Sequence, residues 1–342
     1  MLVISAHYVT FFGDSLQLGK WSRIIFTLDG SGAEIGVNFF FVLSGFLITY
    51  LILTDAGQTD FSYIKKFYLR RVLRIWPLYF LTVAIGFFLF PIIVKIPHYV
   101  EAASGWMYLF FLANLDQIYF WKDAVHPNAL LGVHWSVAVE EQFYLLWPWL
   151  FVFFRKQFVW VGALIWLTAF CFQWYSGLHS HTISSFQDLA IGGLLAYACV
   201  AYKEQLIKQL KKLNSWWQLT IYGIGFVVLI AQYQVSKNVP IYQVLYRPVN
   251  ALFFCWVIFD QCFNANQLLA VTKIPVVSYL GKISYGLYLL HPVALLLLKT
   301  YWFESLNVFW VLPIALALSV ALASASYHLY ESFFLKLKTR YA

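Results

Sequence analysis

Residues 36–53, GVNFFFVLSGFLITYLIL, run without a charged side chain. A helix crosses the hydrocarbon core of a bilayer with about 20 mostly apolar residues. Only helices and closed barrels satisfy their own backbone hydrogen bonds there, and the run is far too long for a single strand. It therefore reads as a membrane helix over 33–53, and comparable runs recur along the chain. They predict further spans near 75–94, 134–154, 158–175, 183–202, 217–234, 241–262, 279–299 and 307–329. The N-terminal MLVISAHYVTFFG has the composition of a membrane helix but is too short to cross, and reads as the second half of a truncated first helix. The expected fold class is an all-α polytopic membrane protein, a bundle of about ten transmembrane helices. Residues 1–342 form a single integral-membrane domain with no separate soluble domain. Only 11% of residues are charged, against about 25% in soluble domains.

The charges orient the bundle. Taking the basic loop 54–74 as cytoplasmic, alternation places 16 of the 23 Lys and Arg inside and 6 outside, with Arg247 within a span. That bias fits a plasma-membrane protein with both termini cytoplasmic. It also accounts for the net charge of +8 without nucleic acid as a partner. The 15 Trp and 23 Tyr suit aromatic belts at the two interfaces. Cys171, Cys199, Cys255 and Cys262 lie in apolar segments, form no CxxC pair and read as small core residues. His179 and His181 lie in a short external turn without neighbouring acids or cysteines, so no metal site is expected.

Polar residues at depth are expensive and point to function. They are His7, Asn38, Glu140, Glu141, Asp188, Arg247 and His291. Glu140 and Glu141 sit in the aromatic segment HWSVAVEEQFYLLWP and point about 100° apart on a helix, so only one faces a given site. Ser136, Glu140, Tyr144 and Trp147 share a stripe that could line a cavity. A membrane histidine such as His7 can be a general base or a satisfied core residue, and a carboxylate beside it would orient the ring. Ser44-Gly45 allows close helix approach or ligand contact. Lys65, Lys66, Arg70, Arg71 and Arg74 precede the third span. Arg71 and Arg74 share a helix face, where they could anchor lipid phosphates or hold an anionic ligand. Residues 95–133, with amphipathic GWMYLFFLANL and the polar Asp116, Lys122, Asp123 and His126, read as a long external loop carrying a partly buried helix.

Seven stretches together resemble the membrane-bound acyltransferase-3 family, whose bacterial members O-acylate surface polysaccharides, lipid-linked sugars and some antibiotics. They are ISAHYV, GVNFFFVLSGFLIT, FYLRRVLRIWPLYFL, HWSVAVEEQFYLLWP, DLAIGGLLA, LGKISYGLYLLHP and YHLYESFF, in the family's order. Two departures stand out. The family's arginine upstream of its first histidine would precede Met1, and Asn38 occupies the place of a family acid.

The resemblance implies an O-acyltransferase that moves an acyl group, acetyl being the expected one, from cytoplasmic acyl-CoA to a hydroxyl of a cell-surface or lipid-linked carbohydrate. His7, with Glu140 or Glu141, would form the catalytic group, deprotonating the acceptor or briefly carrying the acyl group. Arg71 and Arg74, with Ser44 and Gly45, would bind the donor. Trp135, Tyr144, Asp188 and His291 lie in the matched stretches and are the candidates for binding the acceptor. The implied partners are the glycan acceptor and membrane lipids, with no metal. The competing reading is a proton-coupled transporter of a small acid or sugar, using the same buried His and Glu as a relay.

Overall fold

The computed structural model describes residues 2–12, 31–55, 61–94, 99–121, 127–238, 242–268, 270–302 and 308–340. Asp14, Lys20, Arg23, Lys95, Lys122, Asp123 and His126 lie outside the described residues. Among those described, the regular structure is helical throughout. The helices are α1 (Leu2–Phe12), α2 (Ser31–Thr54), α3 (Phe61–Ala84), α4 (Phe90–Val94), α5 (Gly105–Leu109), α6 (Ala113–Tyr119), α7 (His134–Phe153) and α8 (Phe158–Ser176). They continue as α9 (Thr182–Ala201), α10 (Lys203–Leu210), α11 (Ser215–Asn238), α12 (Tyr242–Phe263), α13 (Pro275–Lys282), α14 (Ser284–Tyr301), α15 (Val308–Ser326) and α16 (Ser332–Arg340). Short π-helical turns, Ile85–Leu89 and Tyr327–Glu331, follow α3 and α15.

Among the described residues, six helical stretches are long and apolar enough to cross a membrane, or seven if the bent pair α13 and α14 is one span. The expected ten is therefore an approximate count. Helices α7 and α12, with 20 and 22 residues, have the length to cross. Their apolar character is diluted by Glu140, Glu141 and Gln142 in one, and by Arg247, Asp260 and Gln261 in the other.

Three local expectations need correction. The basic run 65–74 is expected as a loop leading into a span that starts at 75, with Arg71 and Arg74 on one helix face; the shared helix holds, but α3 begins at Phe61 and carries the whole run. Long basic side chains at a helix end can keep their stems on apolar surface and their charges at the interface. The span expected over 279–299 is broken at Ile283, where α13 and α14 meet at 75°. The helix expected in GWMYLFFLANL is two short ones, α5 and α6, divided at Phe111. That residue adopts φ 54° and packs its ring 4.4 Å from that of Tyr79. A left-handed phenylalanine is costly and persists only when packing over-determines it.

Packing divides the chain into two compact units. The first comprises 1–33, 60–139 and 279–342. Its centre is α14, which packs against α1, α3 and α15. Tyr285 Oη donates to the Ile75 carbonyl at 2.9 Å, tying α14 to α3. The segment after α3 is held by polar contacts: Asn128 Nδ2 donates to the Gly86 carbonyl in the π turn at 3.0 Å and to Glu101 at 2.7 Å. A π turn disturbs the helix ladder, and the Asn128 amide supplies a donor to a carbonyl within it. Asp116, fully buried, accepts from the Ser104 amide and from Trp121 Nε1 at 2.9 Å. Burial raises the pKa of its carboxyl above the ordinary value, and these donors act in the opposite direction.

The second unit comprises 34–59 and 140–278, with α9 packed against α8 and α12. Two glycines let α9 meet α2 backbone to backbone. A Cβ on Gly45 would lie 1.9 Å from the Leu189 carbonyl oxygen, and one on Gly192 2.0 Å from that of Val42. This is small-residue packing, which suits helices in lipid because closeness rather than water exclusion provides the attraction. Gly223 on α11 has nothing within 4 Å of its Cβ position. Gly45→Ala and Gly192→Ala are therefore expected to lower the melting temperature in detergent, with overpacking costing about 1–3 kcal/mol or more. Gly223→Ala is expected to leave it unchanged or raise it slightly. Equal behaviour of the three variants in a thermal unfolding assay would refute the close-approach account.

Candidate functional site

The polar residues at depth gather into two clusters, one in each unit. In the first, α1 supplies His7 and α14 supplies His291. His7 Nδ1 lies 2.7 Å from His291 Nε2, and the rings stack with centroids 4.9 Å apart at 16°. His291 is fully buried and His7 half-buried. The other nitrogen of His291, Nδ1, lies 2.7 Å from the Tyr288 carbonyl and 3.2 Å from that of Leu287. Local sequence explains the first contact. In a regular helix the amide of residue 292 would donate to the Tyr288 carbonyl, but residue 292 is proline and has no N–H. Tyr288 extends the cluster: its hydroxyl meets Ser136 Oγ of α7 at 2.6 Å and donates to the Val133 carbonyl at 3.1 Å.

The arginines belong to the same unit. Arg71 is half-buried, its guanidinium 5.6 Å from the centre of the Phe67 ring. Arg74 is exposed and within electrostatic reach of Glu331, which also accepts from Ser326 Oγ at 2.8 Å. Ile75 of α3 and Tyr285 of α14 are in contact, and farther on Phe90, at the start of α4 beyond the π turn, shares a hydrophobic cluster with Leu296 of α14 and with Leu130. Helices α3 and α14 thus run side by side in the same direction. His291 lies six residues beyond Tyr285 on α14, roughly 9 Å farther along the axis from the arginine level.

In the second unit, Ser44 Oγ donates to Glu140 Oε1 at 2.6 Å, joining α2 to α7. Glu140 is buried; Glu141, on the adjacent face, is half-buried. Two turns along α7, Trp147 Nε1 donates to Thr49 Oγ1 at 2.8 Å, and Thr49 donates back to the Gly45 carbonyl at 2.8 Å. The predicted stripe of Ser136, Glu140, Tyr144 and Trp147 is buried throughout, and three of its members bond to neighbouring helices. Trp135 is half-buried. Asn38 is buried on α2, and neither of its amide atoms has a partner among the described residues.

Asp188 and Arg247 pair directly, Arg247 Nε donating to Asp188 Oδ2 at 2.7 Å with both side chains essentially inaccessible. Arg247 also donates to the His179 carbonyl at 2.9 Å. Tyr246 donates to Glu34, and Gln187 to Gln173. The expected external histidines find structural partners, since His181 Nδ1 accepts the Ile183 amide as the N-cap of α9. No group of three potential metal ligands occurs among the described residues.

Sequence reasoning placed His7 next to a carboxylate and His291 at the acceptor. Within the first unit the neighbour of His7 Nδ1 is His291, a contact that sequence reasoning did not foresee. The missed signal was the His-Pro dipeptide at 291–292, where a stranded carbonyl sits within reach of a ring N–H. The Asp188–Arg247 pair was also unforeseen, because opposite charges 59 positions apart carry no spacing rule. Arg247→Ala should leave Asp188 buried without its counter-charge and cost about 3–5 kcal/mol. Arg247→Met with Asp188→Leu should recover most of that loss in the same thermal unfolding assay. A double variant no more stable than the single one would show that the pair is more than an electrostatic clasp.

The comparisons with known proteins place the chain in a family. A Staphylococcus aureus (strain COL) protein named "Putative O-acetyltransferase" is 27% identical over 333 residues, covering 90% of this chain and 53% of that protein. O-acetyltransferase OatA of S. aureus (strain NCTC 8325 / PS 47) is 28% identical over 331 residues, 88% of this chain and 52% of its own length. An uncharacterized Haemophilus influenzae protein is 33% identical over 201 residues, 52% of this chain and 80% of that protein. The chain spans about half the length of the S. aureus relatives it matches. No solved structure matches it. The family described as an acyltransferase domain, Acyl_transf_3, matches residues 1–328, and this multi-pass membrane chain belongs to it.

Proposed function

We propose that the chain catalyses O-acyl transfer from a cytoplasmic acyl-CoA, acetyl-CoA in the first instance, to a hydroxyl of a cell-surface or lipid-linked carbohydrate. The observation that carries this reading is the His7–His291 pair, held in the same unit as the α3 arginines. Helix α3 presents Arg71 and Arg74 at one level and contacts α14, which carries the imidazole farther along. A donor whose phosphates rest on the guanidinium groups could lay its thioester arm along these helices toward His7. Arginine suits that task because its planar fork matches phosphate oxygens.

At the reacting end, His7 takes the proton of the acceptor hydroxyl while that oxygen bonds to the thioester carbonyl carbon. The carbon–sulfur bond then breaks, and the thiolate leaves with the proton that His7 returns. The products are the ester and free CoA, and the imidazole ends neutral. Such general base catalysis contributes about 10²–10⁴-fold. The O-acetyltransferase names of the relatives support an oxygen acceptor; its being a carbohydrate hydroxyl is part of the proposal. Lysine and arginine bias supports a plasma-membrane placement with both termini in the cytoplasm.

Membranes containing the protein should move label from acetyl-CoA into a glycan fraction, and His7→Ala should abolish that transfer while leaving the protein folded. Undiminished transfer in the His7→Ala membranes would remove the imidazole from the chemistry. Replacing Arg71 and Arg74 together by alanine should raise the KM for acyl-CoA by about tenfold or more, the loss of two charge-assisted contacts. An unchanged KM would take the arginines out of the donor site.

A further inference from the structure

We infer that His291 is a positioning residue that fixes His7 in one tautomer and thereby decides which of its nitrogens is basic. The inference rests on the acyl-transfer reading for its catalytic consequence, but its geometry stands independently. A carbonyl oxygen only accepts hydrogen bonds. The Tyr288 carbonyl, 2.7 Å from His291 Nδ1, therefore requires the proton on that nitrogen. A neutral imidazole carries one N–H, so His291 Nε2 presents a lone pair. That lone pair faces His7 Nδ1 at 2.7 Å, which in the neutral pair places the proton of His7 on Nδ1. The remaining nitrogen, His7 Nε2, is left as the base. The chain of assignment begins at Pro292, whose missing N–H leaves the Tyr288 carbonyl without its usual helical donor and open to the imidazole.

This arrangement does the work that a carboxylate does in a Ser-His-Asp triad, with a neutral acceptor in its place. When His7 Nε2 takes a proton, Nδ1–H remains bonded to His291 Nε2 and the new positive charge strengthens that bond. The carbonyls of Leu287 and Tyr288 lie 3.2 and 2.7 Å behind, directing partial negative charge toward the pair. His291 neither gains nor loses a proton in the step. No buried carboxylate has to be kept ionised beside the imidazole, which in hydrocarbon would carry its own desolvation cost.

The test is nitrogen-15 NMR of histidine-labelled protein in lipid nanodiscs, with the His7 signals identified by their loss in His7→Gln. The wild type should show His7 protonated at Nδ1 and bare at Nε2. In His291→Phe that preference should be lost. In His291→Gln, whose amide oxygen can accept from Nδ1–H, it should persist. In the transfer assay, His291→Phe should lower kcat about 10²-fold with the KM for acyl-CoA unchanged, within the range of a general base, and His291→Gln should recover part of it. A wild-type spectrum with the His7 proton on Nε2 would overturn the inference without recourse to any variant. So would an unaltered His7 tautomer in folded His291→Phe. If the tautomer pattern holds but no acyl transfer is found under any condition, the lock stands and the proposed function fails.

Discussion

Hydrocarbon offers no hydrogen-bond partner, so every donor and acceptor in a membrane bundle must be matched by the protein itself. Much of this structure's polar architecture can be read as an answer to that demand. Thr49, Thr82 and Ser319 return their hydroxyls to carbonyls of their own helices. The π turn after α3 receives a donor from Asn128. The proline in α14 strands a carbonyl that the neighbouring imidazole meets. The last case matters most, because satisfying a backbone oxygen also orients a side chain capable of chemistry. Under the proposed mechanism, a structural requirement and a catalytic one are met by the same hydrogen bond.

Packing without water also sets where the polar groups can meet. Helices in lipid gain little from hiding apolar surface from one another and rely on close contact. Gly45 and Gly192 provide it, bringing α2 and α9 to backbone contact. Ser44, adjacent to Gly45, reaches Glu140 on α7, while Asp188, adjacent to Leu189, meets Arg247 on α12. The small-residue seam and the buried charges are thus neighbours in sequence, and the seam helps hold acids that would otherwise be expensive in an apolar interior.

Each unit holds its own set of polar contacts. In one, His7 of α1 and His291 of α14 share the unit with Arg71 and Arg74 of α3, and α14 contacts α3 through Tyr285. The other holds Glu140 with Ser44, Asp188 with Arg247 and Glu34 with Tyr246. His179, outside the membrane spans, belongs to this second group and has a lowered pKa chiefly through burial, with Arg247 adding to the effect and Glu34 opposing it. Acids held by specific donors have fixed orientations, which suits positioning more than free proton exchange.

The sequence by itself determined the class and most of the helices. Apolar runs at membrane length have few alternatives, and the spans expected at 158–175, 183–202, 241–262 and 307–329 fall within a few residues of α8, α9, α12 and α15. It also singled out His7, Glu140, Asp188 and His291, because polar side chains are conspicuous in an apolar chain. Helix α3 was read too short because a basic run looks like loop, although arginines with long apolar stems continue a helix readily. The bend at Ile283 has Gly281 two residues before it as a faint local hint, while the left-handed Phe111 has no glycine or proline beside it to announce it. Only the tertiary structure decided who pairs with whom. Periodicity fixes which residues share a face, but contacts between helices depend on crossing geometry that a single sequence does not encode locally. His7 and His291 are 284 positions apart, and their contact exists only once α1 and α14 are packed together.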